Sequence, residues 1–263
     1  MTKSIGIHFN ITVVGAGNVA WHLAKALYDA GHHIVEVCSR NISTAQSLAR
    51  MVGATATDDF NCIKPTSHIY IYAIKDDALE WVINNVKIDY GLHIHTSGSV
   101  PMSVFASSKT RYGCMYPLQT FTKGKGLDMS KVPFFIESNT TEDEAVIGDL
   151  AQSISRKVYR LPSQDREYIH LAGVFASNFT NLMYYKAASI LEERGIPLSV
   201  LNGLMTEAVN KAKLIGPEQA QTGPAIRGDK KIMDKHISML ADDPLWKEVY
   251  LLLSELIQGM KHK

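Results

Sequence analysis

Cysteine is scarce in this chain: 263 residues hold three, Cys38, Cys62 and Cys114. They stand apart, with no C-x-x-C pair and no cysteine–histidine spacing, so neither a disulfide framework nor a metal site is expected and a reducing, cytoplasmic home is. An excess of one charge is missing too, since 27 Lys and Arg face 26 Asp and Glu for a net charge of +1. That leaves no electrostatic footprint for nucleic acid or an anionic membrane, and points to a small-molecule partner. No apolar run approaches the roughly 20 residues of a membrane span. The opening MTKSIGIHFN has too few apolar residues for a signal sequence. Repeats and low-complexity tracts are also absent. What is present, 46% hydrophobic and 20% charged residues, is an ordinary globular composition, and the length suits two modest domains.

The most informative stretch is Asn10 to Ala20, NITVVGAGNVA. A β-branched run meets a glycine turn, after which Trp21, Leu23, Ala24 and Leu27 recur at helical spacing. The pattern is that of a strand, a turn and a helix. Gly15 permits the tight turn, Gly17 removes a side chain that would block a pyrophosphate, and Ala20 lets helix and strand pack closely. The backbone N–H groups of Asn18 and Val19, at the positive end of the helix, suit the phosphates of a dinucleotide. Gly31 closes the helix just past its end. The alternative is a doubly wound domain that binds another ligand or none.

A second absence lies at the end of the next strand, His33 to Ser39. NAD-binding domains usually carry a carboxylate there for the ribose hydroxyls, whereas this chain reads Cys38-Ser39-Arg40-Asn41. Glu36, the nearest acid, stands inside the strand. Arg40 suits a 2′-phosphate, with Ser39 and Asn41 as neutral partners, so NADP is favoured and NAD stays possible. The other reading of Arg40 is a solvated loop cation.

Further strands are expected at His68 to Ile74, Leu92 to His95, Arg111 to Met115, Val132 to Glu137 and Lys157 to Leu161, with a linker at Lys64 to Thr66. Between them, helices run from Ser43 to Gly53, from Ala78 to Asn84 behind an aspartate cap, and onward from a capping box at Thr141 and Glu144. This alternation predicts a parallel, doubly wound sheet with ligands beyond the strand C-termini. Ser97, Ser99, Tyr116 and Gln119 would then line the cleft, unless they are plain turn residues.

After Pro162 the texture becomes helical, which divides the chain into residues 1–162 and 163–263. Ser163 is a candidate cap for a helix reaching Arg194, with more helices at Leu198 to Ile215, Lys230 to Leu240 and Pro244 to Gln258. At about 100° per residue, His170, Ser177, Asn181 and Ala188 fall on one line, with Asn178 and Tyr185 beside it. Leu171, Phe175, Phe179, Leu182 and Met183 make the helix apolar nearly all round, so it reads as buried, with a polar line that needs partners. Those partners are other helices or a ligand, and a buried histidine is more often a satisfied core residue. Gln221 to Asp229 is a structured interhelical turn or an anion-binding loop.

The glycine turn, the Ser-Arg ending of the second strand and the helical second half resemble the superfamily of 6-phosphogluconate dehydrogenase, pyrroline-5-carboxylate reductase and prephenate dehydrogenase. Within it, HTSGSVP, YPLQTF, FASNFTNLMYYKA and TGPAIRGD resemble proteins with a Rossmann-like domain followed by DUF2520, a domain of unknown function. The resemblance implies a 6-phosphogluconate dehydrogenase-like helical C-terminal domain, a homodimer formed through it, and NADP-linked oxidoreductase chemistry. Tyr116-Pro117-Leu118 is similar to the His-Pro-Met of prephenate dehydrogenases, with tyrosine in place of the histidine. On this basis the nicotinamide would lie near Ala73 and Ser97, and His170 would act as acid or base on a keto, hydroxy or imino group. Tyr116 is the second candidate for proton transfer. Asn178 and Asn181 would orient the substrate beside Ser99, Gln119 and Ser177, and Arg227 would pair with a carboxylate or phosphate. The alternative is a non-catalytic NADP(H)-binding or redox-sensing protein, since no lysine stands on the polar line.

Overall fold

The computed structural model describes residues 8–260. By compactness the chain divides into two units at Asn181/Leu182.

The first unit is built on an eight-stranded sheet in the order β3-β2-β1-β4-β5-β6-β7-β8. In chain order its elements are β1 (Asn10–Val14), α1 (Asn18–Asp29), β2 (His33–Cys38), α2 (Ile42–Val52), β3 (Thr55–Thr57), β4 (Ile69–Tyr72), α3 (Asp76–Asn85), β5 (Leu92–His95), β6 (Tyr112–Pro117), β7 (Pro133–Ser138), α4 (Thr141–Gln152) and β8 (Lys157–Arg160). Strand neighbours are parallel except β6 and β7, which run antiparallel. The expected parallel, doubly wound sheet is present, with one antiparallel pair toward the β8 edge. The link between β6 and β7 holds only a 3-10 turn, Met129–Lys131, and the strand that follows pairs with β6 in the opposite direction. β3, whose Thr-Ala-Thr sequence carries no strand pattern, pairs with the end of β2 through Glu36, Val37 and Cys38.

Alternate residues of the central strands feed two cores. Ile11, Val13, Ile34, Val37, Ile69 and Ile71 pack with Leu23 and Leu27 of α1 and Leu48 of α2. Tyr70, Tyr72, Leu79, Val82 and Phe105 fill the other face. Both faces of β1 and β4 are therefore buried, which is why β4 reads as an unbroken apolar run and the buried Thr12 of β1 hydrogen-bonds to Ser67.

Three caps differ from expectation. Thr140 rather than Thr141 caps α4, its hydroxyl accepting from Asp143 N at 3.1 Å. Asp76 and Asp77 lie in the first turn of α3, where their charge meets the helix dipole, and Lys75 holds the cap position. Pro162 precedes α5 (Ser163–Gly173), and Ser163, its first residue, bonds elsewhere.

After α5 the backbone makes a π-helical turn, Val174–Phe179, before α6 (Thr180–Glu192). Thr180 supports it by donating its hydroxyl to the Phe175 carbonyl at 3.1 Å. The extra residue in that turn rotates the start of α6 by about 100°, so Asn181 leaves the line on which an unbroken helix would set it with His170. The expected burial of this helix is also corrected: Phe175 is 62% exposed, and Leu171 and Phe179 are exposed with it.

The second unit is helical, with α7 (Asn202–Ile215), α8 (Pro217–Ala220), α9 (Pro224–Arg227), α10 (Lys230–Met239) and α11 (Pro244–Gly259) after the end of α6. Gln221 to Asp229 is a structured turn: Ala225 is buried in α9, and the Asp229 carboxylate accepts from Ile232 N at 3.3 Å to cap α10.

Candidate active site

A cavity of about 530 Å³ opens over the C-terminal ends of β1, β2, β4, β5 and β6. Its floor is the glycine turn. Gly15 has φ of +119°, and a Cβ on it would collide with the Ala73 carbonyl of the neighbouring strand end. Gly17 differs: a Cβ there would meet nothing within 4 Å, because its missing side chain faces open cavity. Gly15 closes the fold and Gly17 keeps a cradle clear, the division of labour a diphosphate site needs. Gly17 also caps α1 without a side-chain hydrogen bond, and no acid stands in that helix's first turn. The N–H groups of Asn18 and Val19 are thus available to an anionic ligand.

At the β2 end, Ser39 and Arg40 line the cavity. Ser39 is fixed by its N–H on the Thr57 carbonyl at 3.0 Å, so β3 holds the rim. Arg40 is exposed and has no carboxylate within ion-pair distance among the described residues. Glu36 is 3% exposed and accepts from Lys64 N at 3.1 Å, so it is withdrawn from any ribose. Asn41, expected beside a 2′-phosphate, instead caps α2 by accepting from Ser43 N and Thr44 N at 3.0 and 3.2 Å. This rim carries a guanidinium and no carboxylate, which fits a 2′-phosphate.

At the β5 and β6 end the cavity closes on Tyr116 and His170. Tyr116 Oη lies 3.2 Å from His170 Nδ1. Burial pushes the Tyr116 hydroxyl up to about 12, so it keeps its proton near neutrality and can donate it to Nδ1 in the tautomer that leaves that nitrogen bare. Gly98, from HTSGSVP, makes room for the pair, since a Cβ there would come within 2.6 Å of Tyr116 Cζ and 2.7 Å of His170 Nδ1. Ser97 Oγ holds the same turn, accepting from Ser99 N at 3.1 Å and Val100 N at 3.0 Å.

His170 is set in place from one helical turn away. Arg166 is fully buried and pairs through Nη1 with Glu137 at the end of β7, while its Nη2 reaches both the Val100 carbonyl and, at 3.3 Å, Ser163 Oγ. Glu137 also accepts from Ser163 N at 2.8 Å, and Ser163 Oγ accepts from Met102 N at 3.1 Å. This knot ties the start of α5 to the 98–102 turn and to β7. Arg166 and His170, four residues apart, share a helix face.

Comparison with known proteins fits this geometry. A family model described as domain of unknown function DUF2520 matches residues 132–257, and one described as NADP oxidoreductase coenzyme F420-dependent matches residues 10–93. A Bacteroides fragilis protein, BF3122, designated a candidate NADP oxidoreductase, is 41% identical over 96% of this chain and 98% of its own, with a TM-score of 0.92. The chain belongs to the DUF2520 family, joined to an NADP-oxidoreductase Rossmann domain. An imine reductase from Myxococcus stipitatus, solved with NADP+, is 14% identical over 95% of this chain and 93% of its own at a TM-score of 0.69. A reductive aminase from Aspergillus terreus, solved with NADPH and ethyl-5-oxohexanoate, is 13% identical over 97% and 94% at 0.74. Both share the fold. No protein of curated function matches. NADP is the cofactor that goes with this oxidoreductase family, and the rim at Arg40 fits it.

In this DUF2520 protein Gly15, Gly17, Asn18, Val19, Ser39, Arg40, Ala73 and Ser97 all line the one cavity, together with Tyr116 and His170. Residues expected on the substrate side do not join them. Ser99 Oγ donates to Asp76, and Gln119 turns back to accept from Thr120 N at 2.8 Å. Asn178 and Asn181 are exposed, and Ser177 sits within the π turn. Arg227 is an exposed residue of the helical unit. Cys38 and Cys114 are buried with thiols pushed up to about 12, which makes them poor nucleophiles. Among the described residues no cluster suits a metal ion, and no helix is long and apolar enough to cross a membrane. Sequence reasoning missed Gly98, Glu137, Arg166 and Asp76. Only Gly98 left a signal, since it stands inside the HTSGSVP motif.

Proposed function

We propose that this DUF2520 protein is an NADP-dependent reductase or dehydrogenase acting on a small keto, hydroxy or imino acid-like substrate, with Tyr116 and His170 managing the proton. The carrying observation is the 3.2 Å contact between Tyr116 Oη and His170 Nδ1 at the end of a cavity that begins at the glycine turn. When bound, NADP(H) supplies or accepts the hydride, and the protein must supply or accept a proton at the substrate's oxygen or nitrogen. Imidazole is the commonest acid–base group in catalysis, and a phenol that keeps its proton can hold the ring in position. Tyr116 stands where prephenate dehydrogenases have histidine, and in this chain the imidazole comes to it from α5.

The nucleotide domain ends at residue 162 on this reading, just after β8, and the helical part comes next. We further propose a cytoplasmic homodimer formed through that part. Its support is the exposure of large apolar side chains on α7 and α11, among them Val209, Leu214, Leu245, Leu252 and Leu256.

His170→Gln tests the chemistry. Turnover of NADPH, read at 340 nm against small keto and imino acids, should fall roughly 10²–10⁴-fold, with NADP+ affinity and melting temperature little changed. A lowered melting temperature with turnover retained would make His170 a packing residue and leave Tyr116 as the proton donor.

A further inference from the structure

The loop after β6 returns over α1 and the glycine turn. His22, buried on α1, hydrogen-bonds through Nε2 to the Thr122 carbonyl at 2.9 Å, and its ring meets that of Phe121 at 5.4 Å between centroids. Phe121 packs against the core of the sheet unit. Lys125 N closes a turn on the Thr122 carbonyl at 3.2 Å, with Lys123 inside it. So held, Lys123 reaches the glycine turn and donates from Nζ to the Ala16 carbonyl at 2.6 Å. Ala16 is the middle residue of Gly15-Ala16-Gly17 and lines the cofactor cavity.

An ammonium group carries three donors, and this contact uses one of them. No carboxylate lies within ion-pair distance of Lys123 among the described residues, and α1 offers no acid in its first turn. Lys123 is an exposed residue, so the two remaining donors of its ammonium group are open to an anion brought to the neighbouring cradle of backbone N–H groups. The N–H groups and helix dipole give partial charge only, whereas a dinucleotide diphosphate brings two full negative charges.

We propose that Lys123 is the cationic partner of the cofactor's diphosphate, delivered by the loop after β6 and aimed by the Ala16 carbonyl. The inference rests on the dinucleotide reading of the cavity and adds to it a residue outside the glycine turn. It assigns separate charges to separate parts of NADP(H): Arg40 to the 2′-phosphate and Lys123 to the diphosphate.

Calorimetric titration of the full chain with NADP+ and with 2′-AMP, which has the 2′-phosphate but no diphosphate, tests the assignment. Lys123→Gln should weaken NADP+ about 10-fold and leave 2′-AMP unchanged, and Lys123→Arg should recover most of the loss. Arg40→Ala should weaken both ligands by about one to two decades, as loss of a charge-assisted bond does. Unchanged NADP+ affinity in Lys123→Gln overturns the proposal, and so does equal weakening of both ligands, which would mean that the loop merely supports the fold. Failure of the wild-type protein to bind NADP+ would instead overturn the dinucleotide reading itself.

Discussion

The sheet unit and the helical unit keep their apolar side chains in opposite places. In the first, the core clusters run from Ile11 to Ile154 and enclose both faces of the central strands. In the second, Ala225 and Ser254 are the only buried residues among those described, while α11 exposes Leu245, Leu251, Leu252, Leu253 and Leu256. At about 25 cal/mol per Å² of apolar surface buried, a helix that leaves its leucines in water forgoes the main favourable contribution to folding. The sheet unit therefore owes its stability to its own interior. The helical unit owes it to whatever covers those faces, and a second copy of the chain is the proposed cover.

The sharpest way to break this contrast is to injure the interior of the sheet unit. Arg166→Ala leaves the buried Glu137 carboxylate without its cation, and should lower unfolding free energy by about 3–5 kcal/mol in urea titrations. A loss below about 1 kcal/mol would mean that water already reaches the pair. Acid should strike the same unit. Burial lowers His93 and His95 to about 3, so both are neutral in the fold and take up protons more readily when unfolded. Their contribution is complete above pH 6.5 and is lost as pH falls toward 3, so the urea midpoint should drop steadily across that window. His93→Gln should flatten the slope, and an unchanged slope would place the acid sensitivity elsewhere. The smallest effect on the isolated chain belongs to the helical unit. Leu256→Asp should change monomer stability by no more than about 0.5 kcal/mol, as exposed positions do. In sedimentation velocity the same change should convert dimer to monomer. A wild-type protein that sediments as a monomer would sink the homodimer and leave the contrast between the units unexplained.

Most of the sheet was legible because strand, glycine and helix signals agreed from Asn10 to Gly31 and again at each later strand. β3 was not, since three residues of Thr-Ala-Thr carry no periodicity. The antiparallel turn of β7 was hidden because direction depends on what connects two strands, and the connecting stretch has no pattern of its own. At the site, the residues read from the glycine turn and from Ser39-Arg40 came together because they sit at strand ends, where topology dictates position. The polar line fared worse. It assumed a uniform 3.6-residue period, and a π turn has no residue signature that would have warned of the change. Arg166, Glu137 and Lys123 act across long sequence separations, from 29 residues for the Arg166–Glu137 pair to 107 for Lys123 and Ala16, and a linear reading offers no cue for such pairs.

The π turn at Val174–Phe179 amounts to a one-residue insertion absorbed without a loop. Such an insertion is reversible by genetic means. Deleting one residue between Val174 and Phe179 would restore ordinary helical winding and swing the side chains at the start of α6 back by about 100° around the helix axis. His170 and the knot at Arg166 lie upstream and would stay where they are. The turn thus works as an angular offset between His170 and the first residues of α6, Thr180 and Asn181, one that a lineage could set or remove by gaining or losing a single codon.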